Sequence, residues 1–403
     1  MDRVILHCDC NAFFASVETV FHPEYDEVPM AVCGDPEMRH GIIVAKNEKA
    51  KKYGIVTAET IYSAKRKCPH LLLVLARGGL YGEFSRRVNA IYQQYTDRVE
   101  PFGLDESWLD VGPCVGLFGD GVSIANALRE RVKKEIGISI SVGVSFNKVF
   151  AKLGSDYKKP DATTFISREN FKDVVWPLPA GELLFVGKRM QEALKKLGIL
   201  TIGDIALAGE DALRALFGKA GSTVYEYAMG LENAPVAMTG DVPVAKSVGQ
   251  GMTFKRDLMT YDDIRSSLLF LCDGVAQKLR RQGARCHGIQ LNIRDNKLNT
   301  ISRQSKLGAY TQSAQMLYQA GMEIMYANWA IGDKPIRTLT VTATQLSYGE
   351  ETSLGQISLF PAPIDPLAQR RARVDAAVDK IRARYGDEAI TFARLLQDEG
   401  LRA

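Results

Sequence analysis

The sequence has no long apolar run. A membrane-spanning helix needs roughly 18 or more consecutive apolar residues, and the 403-residue chain contains no such stretch. We therefore expect no membrane partner. The N-terminus, MDRVILHCDC, carries acids where a secretory signal would have an apolar centre. Because export requires that centre, we expect a cytoplasmic protein.

No CxxC pair occurs either. The seven cysteines are an odd number and are scattered along the chain: Cys8, Cys10, Cys33, Cys68, Cys114, Cys272 and Cys286. Disulfide-stapled domains and structural zinc sites both use paired cysteines at characteristic spacings. We therefore expect reduced thiols in a cytoplasmic protein rather than a disulfide framework or a zinc site.

The chain also lacks a strong net charge, but the charge is unevenly distributed. The total is +4, while residues 246–347 contain 14 Lys and Arg against 7 Asp and Glu, a net of +7. The rest of the chain therefore sums to −3. A basic module joined to a more acidic one is typical of nucleic-acid binding. A merely well-solvated domain is the alternative.

The length favours about two to four domains, and the pattern of the elements divides the chain. Residues 1–165 alternate strands and helices in an α/β manner. Residues 166–230 favour short helices joined by glycine-containing turns, which can present backbone N–H groups to phosphate. Residues 231–245 contain two prolines and no periodicity, and indicate a linker. Residues 246–347 give the order β-α-β-β-α-β, so the fold class is α/β and α+β multidomain.

Two adjacent carboxylates mark the segment 99–111, VEPFGLDESWLDV. Asp105 and Glu106 stand between alternating apolar residues, a pattern that predicts a β-hairpin. A solvated turn is the alternative. A third acid, Asp9, ends the apolar strand VILHCD, and Asn11 is predicted to cap the helix that follows. The ends of strands are a common position for ligand-binding groups in α/β folds.

Lysines accompany these acids. Lys148, Lys152, Lys158 and Lys159 fall within or just after one predicted helix. Mg²⁺ prefers oxygen ligands and is commonly bound by a few carboxylates together with substrate phosphates. Carboxylates with nearby lysines therefore suggest metal-dependent phosphoryl or nucleotidyl transfer.

Three stretches, HCDCNAFFASVE, GLDESWLDV and SVGVSFNKVFAKLGSDYKKPDATT, resemble the motifs of Y-family translesion DNA polymerases. The resemblance implies a right-hand polymerase that performs template-directed, low-fidelity synthesis. Palm and fingers would occupy residues 1–165, with the fingers at roughly 12–75, and a helix-hairpin-helix thumb residues 166–230. The linker 231–245, a βαββαβ little finger at 246–347 and a tail at 348–403 would follow.

The resemblance also implies the reacting groups. Asp9, Asp105 and Glu106 would hold two Mg²⁺ ions, with the Cys10 carbonyl completing the second site and Glu106 as the residue usually labelled active. The primer 3′-OH would attack the α-phosphate of a dNTP, and pyrophosphate would leave.

Further residues would bind the nucleotide. Phe14 matches the steric gate that excludes a ribose 2′-OH, and Phe13 would support it, unless Phe13 is only a core residue. Lys159 would contact the triphosphate. The chain departs from the family at Glu48 and Lys51, where tyrosine and arginine are common. Lysine keeps the charge of arginine but not its bidentate fork, and an acid near a triphosphate is repelled unless it points away or meets a cation.

The resemblance implies further contacts with primer-template DNA and with a sliding clamp. The expected DNA contacts are Gly187, Lys246, Ser247 and Arg303. The segment QISLF resembles a clamp-binding peptide, with Gln356, Leu359 and Phe360 as anchors. A basic amphipathic helix is predicted over 364–386, and we expect a monomer.

Two other functions fit parts of the pattern. A non-catalytic protein of the same fold would bind DNA or a polymerase; the intact carboxylates argue against that alternative, and Glu48 keeps it open. A different palm-type enzyme, such as a nucleotidyl cyclase, would share the carboxylate-bearing sheet but would not need the thumb or the basic module.

Overall fold

The computed structural model describes residues 3–36, 41–241, 243–330, 334–349, 366–387 and 389–393. The chain divides into two compact units, Met1–Val242 and Pro243–Ala403. This division falls inside the predicted linker, residues 231–245. The described residues of this segment form neither helix nor strand.

The first unit contains eight strands and twelve α-helices among the described residues. The strands are β1 (Ile5–Cys10), β2 (Met30–Cys33), β3 (Ile43–Lys46), β4 (Leu72–Leu75), β5 (Val99–Phe102), β6 (Glu106–Asp110), β7 (Ile140–Ser145) and β8 (Thr163–Ile166). The helices are α1 (Phe13–Phe21), α2 (Glu48–Lys52), α3 (Ile61–Lys67), α4 (Leu80–Tyr92), α5 (Val115–Phe118), α6 (Gly121–Ile136), α7 (Lys148–Tyr157), α8 (Phe171–Val174), α9 (Lys188–Lys196), α10 (Ile202–Ala208), α11 (Glu210–Phe217) and α12 (Lys219–Ala228).

A five-stranded sheet forms the centre of the first unit, in the order β5-β6-β1-β7-β8. All six residues of β1 are buried, as expected for a central strand covered on both faces. Helix α7 approaches β7 so closely that a Cβ at Gly143 would lie 1.8 Å from the Ala151 carbonyl oxygen. Only glycine allows this packing, which brings the lysines of α7 to the sheet.

A second, smaller sheet has the order β3-β2-β4. It packs with α2 and α3 around its own apolar core, which includes Ile43, Ala50 and Ala64. Asn47 caps α2 by accepting a hydrogen bond from the backbone N–H of Ala50. Its side chain also donates to the Val28 carbonyl, which fixes the start of the helix against the loop before β2.

Four short helices, α9 to α12, pack together in the first unit around an apolar core that they share with α7. Their core includes Leu194, Ile202 and Leu213. Gly187 lies at the N-cap of α9 without a side chain to satisfy the free N–H groups. The predicted succession of short helices and glycine turns is therefore confirmed at this point in the chain.

The second unit confirms the predicted β-α-β-β-α-β order. Its elements are β9 (Ser247–Leu258), α13 (Tyr261–Arg281), β10 (Ala284–Asp295), β11 (Thr300–Thr311), α14 (Ala314–Asn328), β12 (Ile336–Tyr348) and α15 (Pro366–Tyr385). The sheet has the order β11-β10-β12-β9 and all its pairings are antiparallel. Helices α13 and α14 pack on one face, where Leu268, Leu291 and Leu317 are fully buried.

Helix α15 packs on α13 through ion pairs. Arg280 makes two hydrogen bonds to Asp379, of 2.5 and 2.8 Å. The nearly buried Arg382 side chain donates to Asp273 at 2.7 Å. The tail helix predicted over 364–386 is confirmed. Among the described residues, no helix combines the length and apolar character that a membrane span requires.

The predicted cap of α1 is wrong. The N-cap is Ala12, which adopts a left-handed conformation with φ 46° and makes no side-chain cap. Asn11 instead donates to Ser139 Oγ and accepts from Ser141 Oγ. Its side chain is therefore used to join β1 to β7, because these long-range partners offer both of its polar atoms a hydrogen bond.

Candidate active site

Strand pairing brings the three acids together. In the antiparallel pair β1 and β6, Asp9 lies directly opposite Glu106, and such partners have Cα atoms about 4.5 to 5.5 Å apart. Asp105 precedes Glu106 in the turn of the β5-β6 hairpin, and its carbonyl accepts a 2.9 Å hydrogen bond from the Cys10 N–H. The predicted hairpin is confirmed.

These residues line a cavity of about 370 Å³ between the central sheet and the smaller sheet. Eight of the residues expected from the sequence line it: Asp9, Cys10, Phe13, Phe14, Lys51, Asp105, Glu106 and Lys159. Glu48, at which the chain departs from the family pattern, lines the same cavity.

Two of the three carboxylates are paired with lysines. Asp9 Oδ2 lies 2.7 Å from Lys159 Nζ, and Glu106 Oε2 lies 2.5 Å from Lys152 Nζ. His7, which is fully buried, places Nε2 3.3 Å from Glu106 Oε2 without the geometry of a hydrogen bond, and its Nδ1 lies 2.8 Å from Ser155 Oγ. Asp9 and Glu106 are thus held in place by side chains of β1, of α7 and of the turn that follows α7.

The pKa shifts follow these contacts. Burial raises the pKa of Asp9, and Lys159 only partly offsets this effect. Burial, followed by the charge of Glu106, raises the pKa of Asp105. Burial would raise the pKa of Glu106 as well, but contacts with His7 and Lys152 lower it. Crowded, partly desolvated carboxylates of this kind favour a nearby cation.

The donor set fits a hard divalent cation, although the side chains are turned towards lysines. Carboxylate oxygens from Asp9, Asp105 and Glu106 are the ligands that Mg²⁺ prefers. Within the part of the chain that the structure describes, no three His, Cys, Asp or Glu side chains are grouped so that they could hold a metal ion. In the structure Asp9 and Glu106 are instead paired with Lys159 and Lys152.

Phe14 and Phe13 differ in environment. Phe13 is 2% exposed and belongs to the core under the sheet. Phe14 is partly exposed to the cavity and packs on Tyr81 with ring centroids 3.9 Å apart. The Tyr81 hydroxyl donates a 2.6 Å hydrogen bond to the buried carboxylate of Glu18, which also pairs with Arg77. This network holds the ring against which Phe14 rests.

Glu48 and Lys51 pair with each other at the edge of the cavity. Glu48 Oε1 lies 3.4 Å from Lys51 Nζ, and both side chains are more than half exposed. Glu48 thus meets a lysine, which is one of the two conditions under which an acid is tolerated near a triphosphate. A screened surface pair of this type contributes little stability, so Lys51 can exchange partners.

The expected DNA contacts fall in different places. Gly187 lines a separate cavity of about 310 Å³ beside α7, together with Lys152 and Val186. Lys246, Ser247 and Arg303 belong to the second unit and are exposed. Arg303 donates to Asn328 Oδ1 at 3.0 Å. The clamp anchors Gln356, Leu359 and Phe360 lie outside the described residues.

Sequence reasoning missed three groups that support the expected residues. His7 stands two positions before Asp9 on β1, so the alternation of a strand could have placed both on one face. Nothing in the sequence distinguishes Lys152 from the other lysines of its helix. Tyr81 gave no signal, because its proximity to Phe14 depends on how α4 packs against α1.

Family models match the chain in two places. Residues 8–156 match the impB/mucB/samB family and residues 245–359 match the C-terminal domain of that family. A DNA polymerase IV of Acetivibrio thermocellus is 45% identical over 402 residues, which cover 100% of this chain and 99% of the relative. A DNA polymerase IV 2 of Bacillus subtilis is 33% identical and covers 99% of this chain and 96% of the relative.

A solved structure supports the fold. The structure of a Y-family DNA polymerase chimera is 23% identical and has a TM-score of 0.76, covering 86% of this chain and all of the chimera. The predicted fold class is therefore confirmed. Enzymes of this family depend on metal ions. With a relative that is 45% identical along the whole chain, the protein belongs to the Y-family of DNA polymerases, the DNA-directed DNA polymerases of translesion synthesis and DNA repair.

Proposed function

We propose that this chain extends a primer opposite damaged or distorted template with low fidelity, and that it does so with two Mg²⁺ ions. The observation that carries the proposal is the register of β1 and β6, which sets Asp9 opposite Glu106. Asp105 lies beside this pair in a cavity that also contains Phe14 and Lys159. Acids, a cation and an aromatic ring are the groups that dNTP binding requires.

The reaction joins the primer 3′ oxygen to the α-phosphorus of a dNTP and releases pyrophosphate. Asp9, Asp105 and Glu106, with the Cys10 carbonyl, would hold the two Mg²⁺ ions, which when bound activate the attacking hydroxyl and offset charge on the leaving phosphates.

The protein's own side chains would bind and orient the substrate. Lys159 and Lys51 would neutralise the triphosphate after leaving Asp9 and Glu48, their partners in the structure. His7 and Lys152 would keep Glu106 ionised and oriented. Phe14, supported by Tyr81, would stand below the sugar and exclude a 2′-OH.

DNA binding and clamp binding complete the proposal. Palm and fingers would be residues 1–165, with fingers at roughly 12–75, and the thumb 166–230 would hold the primer-template through Gly187. The little finger, 246–347, would contact DNA through Lys246, Ser247 and Arg303. A monomer would bind a sliding clamp through residues 356–360 of the tail.

Primer extension tests the catalytic assignment. The purified protein with primer-template, dNTPs and Mg²⁺ should extend the primer. Asp105→Ala and Glu106→Ala should each reduce the rate by about 10³-fold or more, since such ligands support several kcal/mol of charge stabilisation. Asp211→Ala, at a carboxylate that is 94% exposed in α11, is the control and should keep the wild-type rate.

The outcome also separates the other functions. Wild-type extension rates in both Asp105→Ala and Glu106→Ala would contradict the proposed mechanism. Absence of extension by the wild type would favour a non-catalytic protein, and nucleotide turnover without primer-template would favour a cyclase-like enzyme.

A further inference from the structure

Lys46 is the last residue of β3 and lines the cavity that contains Asp9, Asp105 and Glu106. Its side chain is half-buried. The Nζ atom donates a 3.3 Å hydrogen bond to Thr57 Oγ1, which lines the same cavity. Sequence reasoning gave Lys46 no role, because nothing in the local pattern distinguishes it from the other lysines of this basic segment.

The lysines of this cavity differ in their partners. Lys159 pairs with Asp9 and with Asp156, and Lys51 pairs with Glu48. Lys46 has no ion-pair partner among the residues that the structure describes. Burial lowers the pKa of Lys46, the nearby charge of Lys51 lowers it further, and the charges of Glu48 and Glu59 act in the opposite direction. The cavity wall thus carries a partly desolvated cation that makes no direct ion pair with a carboxylate of the described residues.

We propose that Lys46 binds an anionic oxygen of the triphosphate of the incoming dNTP, as a third lysine beside Lys51 and Lys159. The inference rests on the proposed function, because it assigns a contact to the same nucleotide. The proposal also accounts for the departure from the family pattern. Glu48 neutralises the charge of Lys51, and Lys46 supplies a positive charge to the cavity in its place.

The partners of each lysine indicate how much it can contribute. Lys51 must give up its ion pair with Glu48 before it binds a phosphate, whereas Lys46 gives up only a long hydrogen bond to the neutral Thr57. Charge-assisted hydrogen bonds are about twice as strong as neutral ones. We therefore expect Lys46 to contribute more to nucleotide affinity than Lys51.

If Lys46 binds a phosphate, its contribution to dNTP affinity should not depend on the base. All four dNTPs present the same triphosphate, whereas a contact with the base would affect some nucleotides and not others. The ammonium group of lysine is a compact charge that matches phosphate oxygens without requiring a fixed plane. Loss of the contact should therefore weaken the four dNTPs equally.

Equilibrium binding of dNTPs tests the proposal without the chemical step. The full chain is bound to primer-template whose primer ends in a dideoxynucleotide, and the Kd of each complementary dNTP is measured with Mg²⁺. Lys46→Met should raise Kd about tenfold or more for all four nucleotides, and Lys46→Arg should retain most of the affinity. Lys51→Met should have a smaller effect.

Lys49→Met is the matched control. Lys49 lies in α2, three residues further on, and pairs with Glu27 outside the cavity, 3.3 Å away. The Lys49→Met variant should bind dNTPs with the Kd values of the wild type. Lys46→Gln provides a second neutral variant that can still hydrogen-bond, and it should weaken binding as Lys46→Met does.

Wild-type Kd values in both neutral variants would overturn the proposal, and so would weakening confined to one or two of the four nucleotides. Either result would leave the proposed function standing if the wild type extends primers and loses that activity in Glu106→Ala. Failure of the wild type itself to extend primers would instead contradict the proposed function.

Discussion

Asp9 and Glu106 face each other from adjacent strands, and each is paired with a lysine of α7 or of the turn that follows it. Two carboxylates so close together repel each other, and burial strengthens the repulsion. The lysines reduce that cost in the structure described here. Because Lys159 is also the residue expected to meet the triphosphate, binding of cations to the acids would free it for the nucleotide.

Phe14 is the residue expected to discriminate between deoxyribonucleotides and ribonucleotides. Phe14→Ala should admit ribonucleotides, because it removes the ring that would meet a 2′-OH. We expect the ratio of dNTP to rNTP incorporation, measured as kcat/KM in primer extension, to fall by about 10²-fold, equivalent to roughly 3 kcal/mol. Unchanged discrimination would count against the gate.

The neighbouring Phe13 provides the contrast. Phe13 is 2% exposed, so Phe13→Ala should lower the free energy of unfolding by about 3 kcal/mol or more through lost burial and a cavity. Phe14 is partly exposed, and Phe14→Ala should cost clearly less stability. Urea unfolding of both variants checks this difference, and equal losses would contradict the separation of a core role from a gate role.

The start of α13 contributes to the stability of the second unit in a way that depends on pH. The Thr260 hydroxyl and the Asp263 carboxylate form a capping box at the start of α13. Burial would raise the pKa of Asp263, but Arg256, at 2.6 Å, and the N–H groups of Met259 and Thr260 hold it well below its usual range. The ionised carboxylate therefore stabilises the folded state.

The sign of this pKa shift sets the pH range. A carboxyl whose folded pKa lies below its unfolded value of about 3.9 stabilises the fold fully above that value and loses the contribution as the pH falls. Asp263→Asn should therefore lower the free energy of unfolding by about 1 to 2 kcal/mol at pH 7. The difference from the wild type should shrink as the pH approaches 3.

Urea unfolding at several pH values measures this effect. Asp262→Asn is the control, because Asp262 lies in the same first turn with its side chain 76% exposed, and it should change stability little at any pH. A destabilisation by Asp263→Asn that stays constant between pH 7 and pH 3 would contradict the electrostatic origin.

The contact between α13 and α15 yields a prediction about buried and exposed ion pairs. Arg382 is 6% and Asp273 14% exposed, whereas the Arg281 and Asp387 side chains are 58% and 61% exposed. Arg382→Met leaves Asp273 without its buried partner and should lower the free energy of unfolding by about 2 kcal/mol. Arg281→Met should cost less than about 1 kcal/mol.

Thermal unfolding of the two variants under identical conditions provides the comparison. Both substitutions remove one arginine charge from α13 or α15, so net charge is matched. A loss of stability in Arg281→Met as large as in Arg382→Met would show that burial does not decide the strength of these pairs.

At the scale of the whole molecule, the two compact units divide the expected tasks. The first unit contains the acids, Phe14 and the lysines of the cavity, and the second unit contains the segment 246–347, whose net charge is +7. The family models match each unit separately, at residues 8–156 and 245–359.

The segment 356–360 is expected to connect the polymerase to a sliding clamp. Replacing Gln356, Leu359 and Phe360 by alanine should lower the stimulation of primer extension by a sliding clamp, because these side chains are the expected anchors. Synthesis without the clamp should keep its wild-type rate. Extension assays with and without clamp on a primed circular template compare the two, and equal stimulation of variant and wild type would refute the docking role.

Much of the fold followed from local patterns. Apolar alternation and turn residues predicted the hairpin around Asp105 and the β-α-β-β-α-β order, because side-chain periodicity reports directly which face of a strand or helix is buried. Asn11 shows where that reasoning fails. Its capping signal is local, but Ser139 and Ser141, from a distant part of the chain, use both of its polar atoms.

The residue types at fixed short spacings were enough to indicate the three acids, Phe14 as the candidate steric gate, and the family. Only the tertiary structure decided which groups meet. Strand register set Asp9 opposite Glu106, the packing of α7 brought Lys152 to Glu106, and the approach of the two sheets placed Lys46 on the cavity wall. The physical reason is that charge pairing and burial depend on distances between segments far apart in the chain, which no local periodicity encodes.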